Sequence, residues 1–163
     1  MEMGDFKKAF PKLAHRLGDG NCGLLATLMQ ERDVPTGTAL VEGHTPTESL
    51  FLVIEGQFCV EVPRPDQAIE IDRIGPGQWI GEGSLFSHDH TPISRVVALS
   101  PSRVLELKHA QFWSAQTDKP DLAGALTREF IDHMSERVRV ADALITRHRG
   151  GRNSPPSDPL SQV

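Results

Sequence analysis

Apolar positions along the chain change their period twice. Phe6, Phe10, Leu13 and Leu17 recur at spacings of four and three, which predicts one helical face over residues 5–17 with Pro11 as the point where it splits. Residues 22–30 read as a second short helix. From residue 34 the helical period is lost. Leu50-Phe51-Leu52-Val53-Ile54 is an unbroken apolar run, the pattern of a strand buried on both faces. Gly56 then permits a tight turn, and Phe58, Val60 and Val62 alternate with Cys59 and Glu61. Residues 68–74 alternate again and end on the turn Gly75-Pro76-Gly77. Residues 38–41, 95–99 and 103–108 bring the count to six or more short strands, which predicts a sandwich, jelly roll or small barrel.

The helical period returns after residue 108. Residues 109–116 form a short helix, broken by Asp118-Lys119-Pro120, and a long one follows over about 120–148. Its apolar stripe is Leu122, Leu126, Phe130, Met134, Val138, Ala141 and Ile145. At about 1.5 Å per residue it is roughly 43 Å long, more than a small barrel covers. A homodimer through residues 120–148 is therefore expected, and the alternative is a helix that caps its own barrel. Residues 150–163 hold three prolines, three serines and two glycines, the composition of a disordered tail.

Composition narrows the class. A chain of 163 residues with 38% hydrophobic and 24% charged residues builds one core without metal or disulfide. With 17 basic against 22 acidic residues the net charge is −5, which excludes attraction to nucleic acid or an anionic membrane by bulk charge. Cys22 and Cys59 are too few for a disulfide framework and read as buried small hydrophobes. The N-terminus lacks a signal-peptide run and no apolar stretch is long enough to span a bilayer, so a soluble cytoplasmic protein is expected.

Several stretches then fall in a recognisable order: Pro35-Thr36-Gly37-Thr38, Glu42-Gly43, Leu50-Phe51-Leu52-Val53-Ile54-Glu55-Gly56, Gly75-Pro76-Gly77, Ile80-Gly81-Glu82 and Val96-Val97-Ala98-Leu99. Together they resemble the cyclic nucleotide-binding domain family of catabolite activators, protein kinase A regulatory subunits and gated channels. The resemblance runs from about Gly23 to Arg147 and implies a mainly β fold. That fold is an eight-stranded jelly roll with N-terminal helices and a long C-terminal helix. It would form a single domain over residues 1–149, with the barrel at about 34–108. It also implies a non-enzymatic regulatory module, without a cofactor, that senses a small anionic ligand such as cAMP or cGMP and signals through the C-terminal helix.

The family's phosphate-binding cassette is a Gly-Glu, a short helix, and then Arg-Ser/Thr-Ala. By resemblance Gly81 and Glu82 open it, with Glu82 the ribose ligand and the backbone of Gly83, Ser84 and Leu85 the phosphate cradle, on a short helix at 83–86. The second half departs from the pattern. Pro92 and Ile93 stand where the arginine and the small hydroxyl belong, and Arg95 comes three positions later, an odd offset that turns it to the other face of its strand. Losing one partner of a desolvated charge pair costs about 2–5 kcal/mol. That is roughly 30-fold to several-thousand-fold in affinity. A weak cyclic nucleotide site is expected, and the alternative is a degenerate domain that serves only protein–protein interaction or dimerisation.

His88-Asp89-His90 raises a third reading from another class. An HxH pair can hold a metal, so His88 and His90 would be the ligands of a metal-dependent, cupin-like enzyme. Thr91-Pro92-Ile93-Ser94 supplies no carboxylate to complete such a set, and a polar loop tip is the plainer account, although His44 also follows a turn. No GxSxG, P-loop or CxxC motif occurs. Transcription factors of the family carry a helix-turn-helix module after the long helix. Here fifteen Pro-rich residues follow His148, and residues 120–149 balance five arginines against five acids, so neither DNA nor membrane binding is expected. The protein partner is unknown.

Overall fold

The structure is a computed structural model that describes residues 2–86 and 91–150, with side chains as far as residue 139. Two helices open the chain, α1 (Met3–Ala9) and α2 (Pro11–Leu28). They part at Phe10 because Pro11 has no N–H to continue α1, while its fixed φ suits the first turn of α2. The predicted stripe is realised, with Phe6, Phe10, Leu13 and Leu17 all buried. The second short helix is present as the part of α2 beyond Gly18, whose non-helical φ 68°, ψ 170° separates two helical stretches; it begins before Cys22 and ends at Leu28.

Among the described residues eight strands follow: β1 (Gln30–Val34), β2 (Ala39–Val41), β3 (Ser49–Glu55), β4 (Phe58–Val62), β5 (Ile69–Ile74), β6 (Trp79–Ile80), β7 (Arg95–Ala98) and β8 (Ser102–Lys108). A short helix, α3 (Glu82–Phe86), interrupts them, and α4 (His109–Asp118) and α5 (Pro120–Gly150) close the chain. The strands form two antiparallel four-stranded sheets, ordered β1-β8-β3-β6 and β2-β7-β4-β5. This is the expected jelly roll.

The inner faces make the core. Val34, Phe51, Val53, Ile80 and Val104 of the first sheet meet Val41, Phe58, Val60, Ile74, Val96 and Ala98 of the second. Leu50 and Leu52 point the other way from β3 and are also fully buried, with α1 packed on that strand. The double-sided run thus has a partner on each face, as burial of both faces from Leu50 to Val53 requires. Phe10 meets Trp79 edge-on with centroids 5.7 Å apart, which ties the junction of α1 and α2 to β6. At the β3–β4 turn Gly56 adopts φ 94°, and a Cβ there would overlap the Ser102 hydroxyl.

Three strands differ from the sequence expectation, β6 because its two residues are too few to carry a period. β1 was not apparent, since only Val34 of its five residues is buried; its strand form comes from pairing with β8 over Gln30–Val34. β5 does not bury alternate positions, because Ile69 and Ile71 are both exposed. It is a sheet edge, and its register with β4 shifts between Val60 and Glu61.

By internal contacts the chain divides into two units, Met1–Thr127 and Arg128–Val163. The first holds both sheets and α1 to α4. In the second, the described part is helical; Phe130 is buried, whereas Ile131, Met134 and Val138 are 42–60% exposed. The expected tail lies outside the described residues beyond residue 150. No helix among the described residues is long and apolar enough to cross a membrane.

Candidate functional site

The segment Gly81–Leu85 leaves the first sheet at the end of β6. Gly81 has φ 90°, and a Cβ on it would lie 2.6 Å from the carbonyl oxygen of Ser49. No other residue fits this left-handed, crowded position. The Gly81 carbonyl accepts the N–H groups of Ser84 (3.1 Å) and Leu85 (3.4 Å), and these bonds open α3. Glu82, only 7% exposed, is buried with Ser84 and Leu85, and Gly83 faces open space. The five residues expected to bind ligand therefore lie in one turn, with Glu82 buried in it.

Beneath that turn is a charged cluster that sequence reasoning missed. Glu106 of β8 is 6% exposed. It accepts hydrogen bonds from Ser49 Oγ (2.7 Å) and Arg32 Nη1 (2.8 Å), and Lys108 Nζ is 2.7 Å away. The Arg32 guanidinium also sits over the Phe51 ring, 5.7 Å from its centroid. Burial alone pushes the Glu106 carboxyl up, but the hydrogen bonds from Lys108, Ser49 and Arg32, with the charge of Arg32, outweigh it and hold the pKa at about 2. The available signal was a single acid inside the apolar stretch Val104-Leu105-Glu106-Leu107.

The second half of the expected cassette is built differently. Val96 and Ala98 belong to the inner core, so Arg95 projects from the opposite face of β7. There its Nε donates to Glu42 (2.8 Å) and its Nη1 to Glu61 (3.2 Å). Both carboxylates, Glu42 first, hold the guanidinium firmly charged. The loop after β2 packs on the segment before β7: His44 N–H donates to the Pro92 carbonyl at 2.7 Å. The Ile93 carbonyl stands 3.0 Å from where a Gly43 Cβ would be. Ile93 itself is exposed.

His88 and His90 lie outside the described residues. Among the described residues no group of three or more His, Cys, Asp or Glu is placed to hold a metal ion. Cys22 and Cys59 are buried and free, as expected, and burial raises both thiols above their ordinary range. At its far end α3 meets α4: Phe86 lies edge-on to Phe112 and to Trp113, each 6.2 Å between centroids.

This chain belongs to the cyclic nucleotide-binding domain family, whose profile matches residues 31–118. It is 27% identical over 126 residues to the cyclic nucleotide-gated potassium channel mll3241 of Mesorhizobium japonicum, a match to 74% of this chain and 33% of the channel. The fold is similar to a cyclic nucleotide-binding domain from Methylobacillus flagellatus (TM-score 0.77, 19% identity, 89% of this chain and 83% of that one). It is also similar to the catabolite activator protein of Thermus thermophilus (TM-score 0.67, 22% identity, 84% and 62%). The chain thus spans a third of the channel and less than two thirds of the activator. Such a fold supports a ligand-sensing regulatory module. Glu82 opens α3 directly after Gly81, and Arg95 donates to Glu42 and Glu61.

Proposed function

We propose that this protein is a non-enzymatic regulatory module that takes a cyclic nucleotide, cAMP or cGMP, weakly at Gly81–Leu85. The observation that carries the reading is the buried carboxylate of Glu82 on a glycine turn, in a chain of this family. A buried acid beside exposed backbone is suited to a ribose hydroxyl, whose O–H donates to the carboxylate. The affinity is low because Arg95 faces Glu42 and Glu61 rather than the phosphate. Binding is relayed through α5, which also joins two copies.

Calorimetry with cAMP and cGMP tests this. A dissociation constant weaker than about 10 μM, lost in Glu82→Ala, is expected. Binding tighter than that shows that another cation serves the phosphate. No heat at millimolar nucleotide leaves the second reading, a domain that acts only through dimerisation or a protein partner.

A further inference from the structure

We infer that Ser49 and Glu106 are positioning residues that hold the entry of the Gly81–Leu85 turn in place. The inference rests on the reading of that turn as the ligand site, but the contacts that carry it involve no ligand.

The connection can be followed atom by atom. Ser49 is the first residue of β3, and its partner Lys108 is the last of β8, so the pair sits at the end of its ladder, where strands open most readily. The side chains reinforce that end. Ser49 Oγ donates to Glu106 Oε1 at 2.7 Å, and Arg32 and Lys108 hold the same carboxylate at 2.8 and 2.7 Å. Ser49 in turn supplies the surface on which the turn rests, since its carbonyl oxygen occupies the space that a Gly81 side chain would need. Gly81 then starts α3 through its carbonyl, which accepts from Ser84 and Leu85. A shift of the Ser49 peptide must therefore move Gly81, and with it the backbone carrying Glu82. Close packing transmits displacements of this kind rather than absorbing them.

The cluster also explains why so polar a group is kept at a strand end that could be apolar. A buried carboxylate is retained only where its hydrogen bonds are filled, and here three donors from three strands converge on it. The result is a rigid cross-brace over β1, β8 and β3 at the edge of the proposed site.

Amide hydrogen exchange by NMR on the full chain without ligand, in wild type, Ser49→Ala, Ser49→Thr and Glu106→Gln, tests the inference. Ser49→Ala and Glu106→Gln are expected to speed exchange at Ser84 and Leu85 roughly tenfold, the effect of losing a hydrogen bond to a charged group. Ser49→Thr keeps the hydroxyl and is expected to restore the wild-type rate. The amides of Cys59 and Val97, paired between β4 and β7, serve as the internal control and are expected to change only by the global loss of stability that urea unfolding of the same variant reads. The inference is overturned if Ser84 and Leu85 keep wild-type rates in both loss variants, if all amides speed by one factor, or if Ser49→Thr behaves as Ser49→Ala. Parallel calorimetry with cAMP separates the two readings. Failure of wild type to bind removes the ligand proposal and leaves the exchange result standing; binding with unchanged exchange removes only the positioning role.

Discussion

Arg95 donates to Glu61 at 3.2 Å across the β4–β7 ladder, in the same register that pairs the two residues as strand neighbours. With Glu42 at 2.8 Å on its other side, the guanidinium is fixed between two acids away from the core. Arg95→Ala should therefore leave cAMP affinity unchanged to within about twofold, because no phosphate contact is removed. The loss of stability should be small, about 1 kcal/mol or less, as these side chains are partly exposed and screened. Calorimetry and urea unfolding check the two halves. A tenfold loss of affinity would instead make Arg95 a ligand that turns inward on binding.

Gly81→Ala should be severe and Gly83→Ala mild, although they are two residues apart. At Gly81 a Cβ meets the Ser49 carbonyl at 2.6 Å with φ 90°, so steric conflict and backbone strain add. A loss on the order of 2–4 kcal/mol is expected. At Gly83 a Cβ meets nothing within 4 Å, and alanine favours the helix by about 0.5–1 kcal/mol. Equal urea midpoints for the two variants would contradict the geometry of the turn.

The contrast shows what the sequence could and could not reveal. The apolar run from Leu50 to Ile54 was legible because burial on both faces leaves no polar position, and β3 has both faces covered. β1 was not legible, because Gln30-Glu31-Arg32-Asp33 has no apolar period and is a strand only through its bonds to β8. β6, with two residues, is too short to carry a period at all. For the site, the parity of Arg95 relative to Val96 and Ala98 was readable, since strand alternation is strict. The Glu106 cluster was not, because its partners Arg32, Ser49 and Lys108 come from three separate segments. One chain's order cannot say which distant side chains converge.

Glu106 should give the protein a distinct acid limb in its stability. Its folded pKa of about 2 lies below the ordinary glutamate value of 4.5. The charged form is therefore favoured in the native state. The stabilisation is complete above about pH 4.5 and is lost as the pH falls toward 2. Because Arg32 and Lys108 are partly exposed, a contribution on the order of 2 kcal/mol is expected rather than the full value of the shift. Urea unfolding of wild type between pH 5 and pH 2 should show this loss, and Glu106→Gln should flatten it (about 2 kcal/mol less stable at pH 5, converging near pH 2). Parallel curves for the two proteins would mean that other carboxylates carry the acid sensitivity.

Self-association should run through α5. Phe130 is already buried in the single chain, so the apolar surface open to a partner begins with Ile131 and Met134 and continues to Val138, all well exposed. Met134 and Val138 stand one helical turn apart on one stripe. An exposed apolar stripe of this kind marks an interaction surface, and a second α5 offers the same residues in return, as a twofold interface requires. Arg139 and Glu136 pair at 3.1 Å beside it, which leaves the charged positions at the margin. Met134→Glu with Val138→Glu should therefore give a folded monomer with an unchanged far-ultraviolet spectrum. Wild type should sediment as a dimer at micromolar concentration. A wild type that remains monomeric at high micromolar concentration, with the double variant sedimenting identically, would remove self-association through this helix.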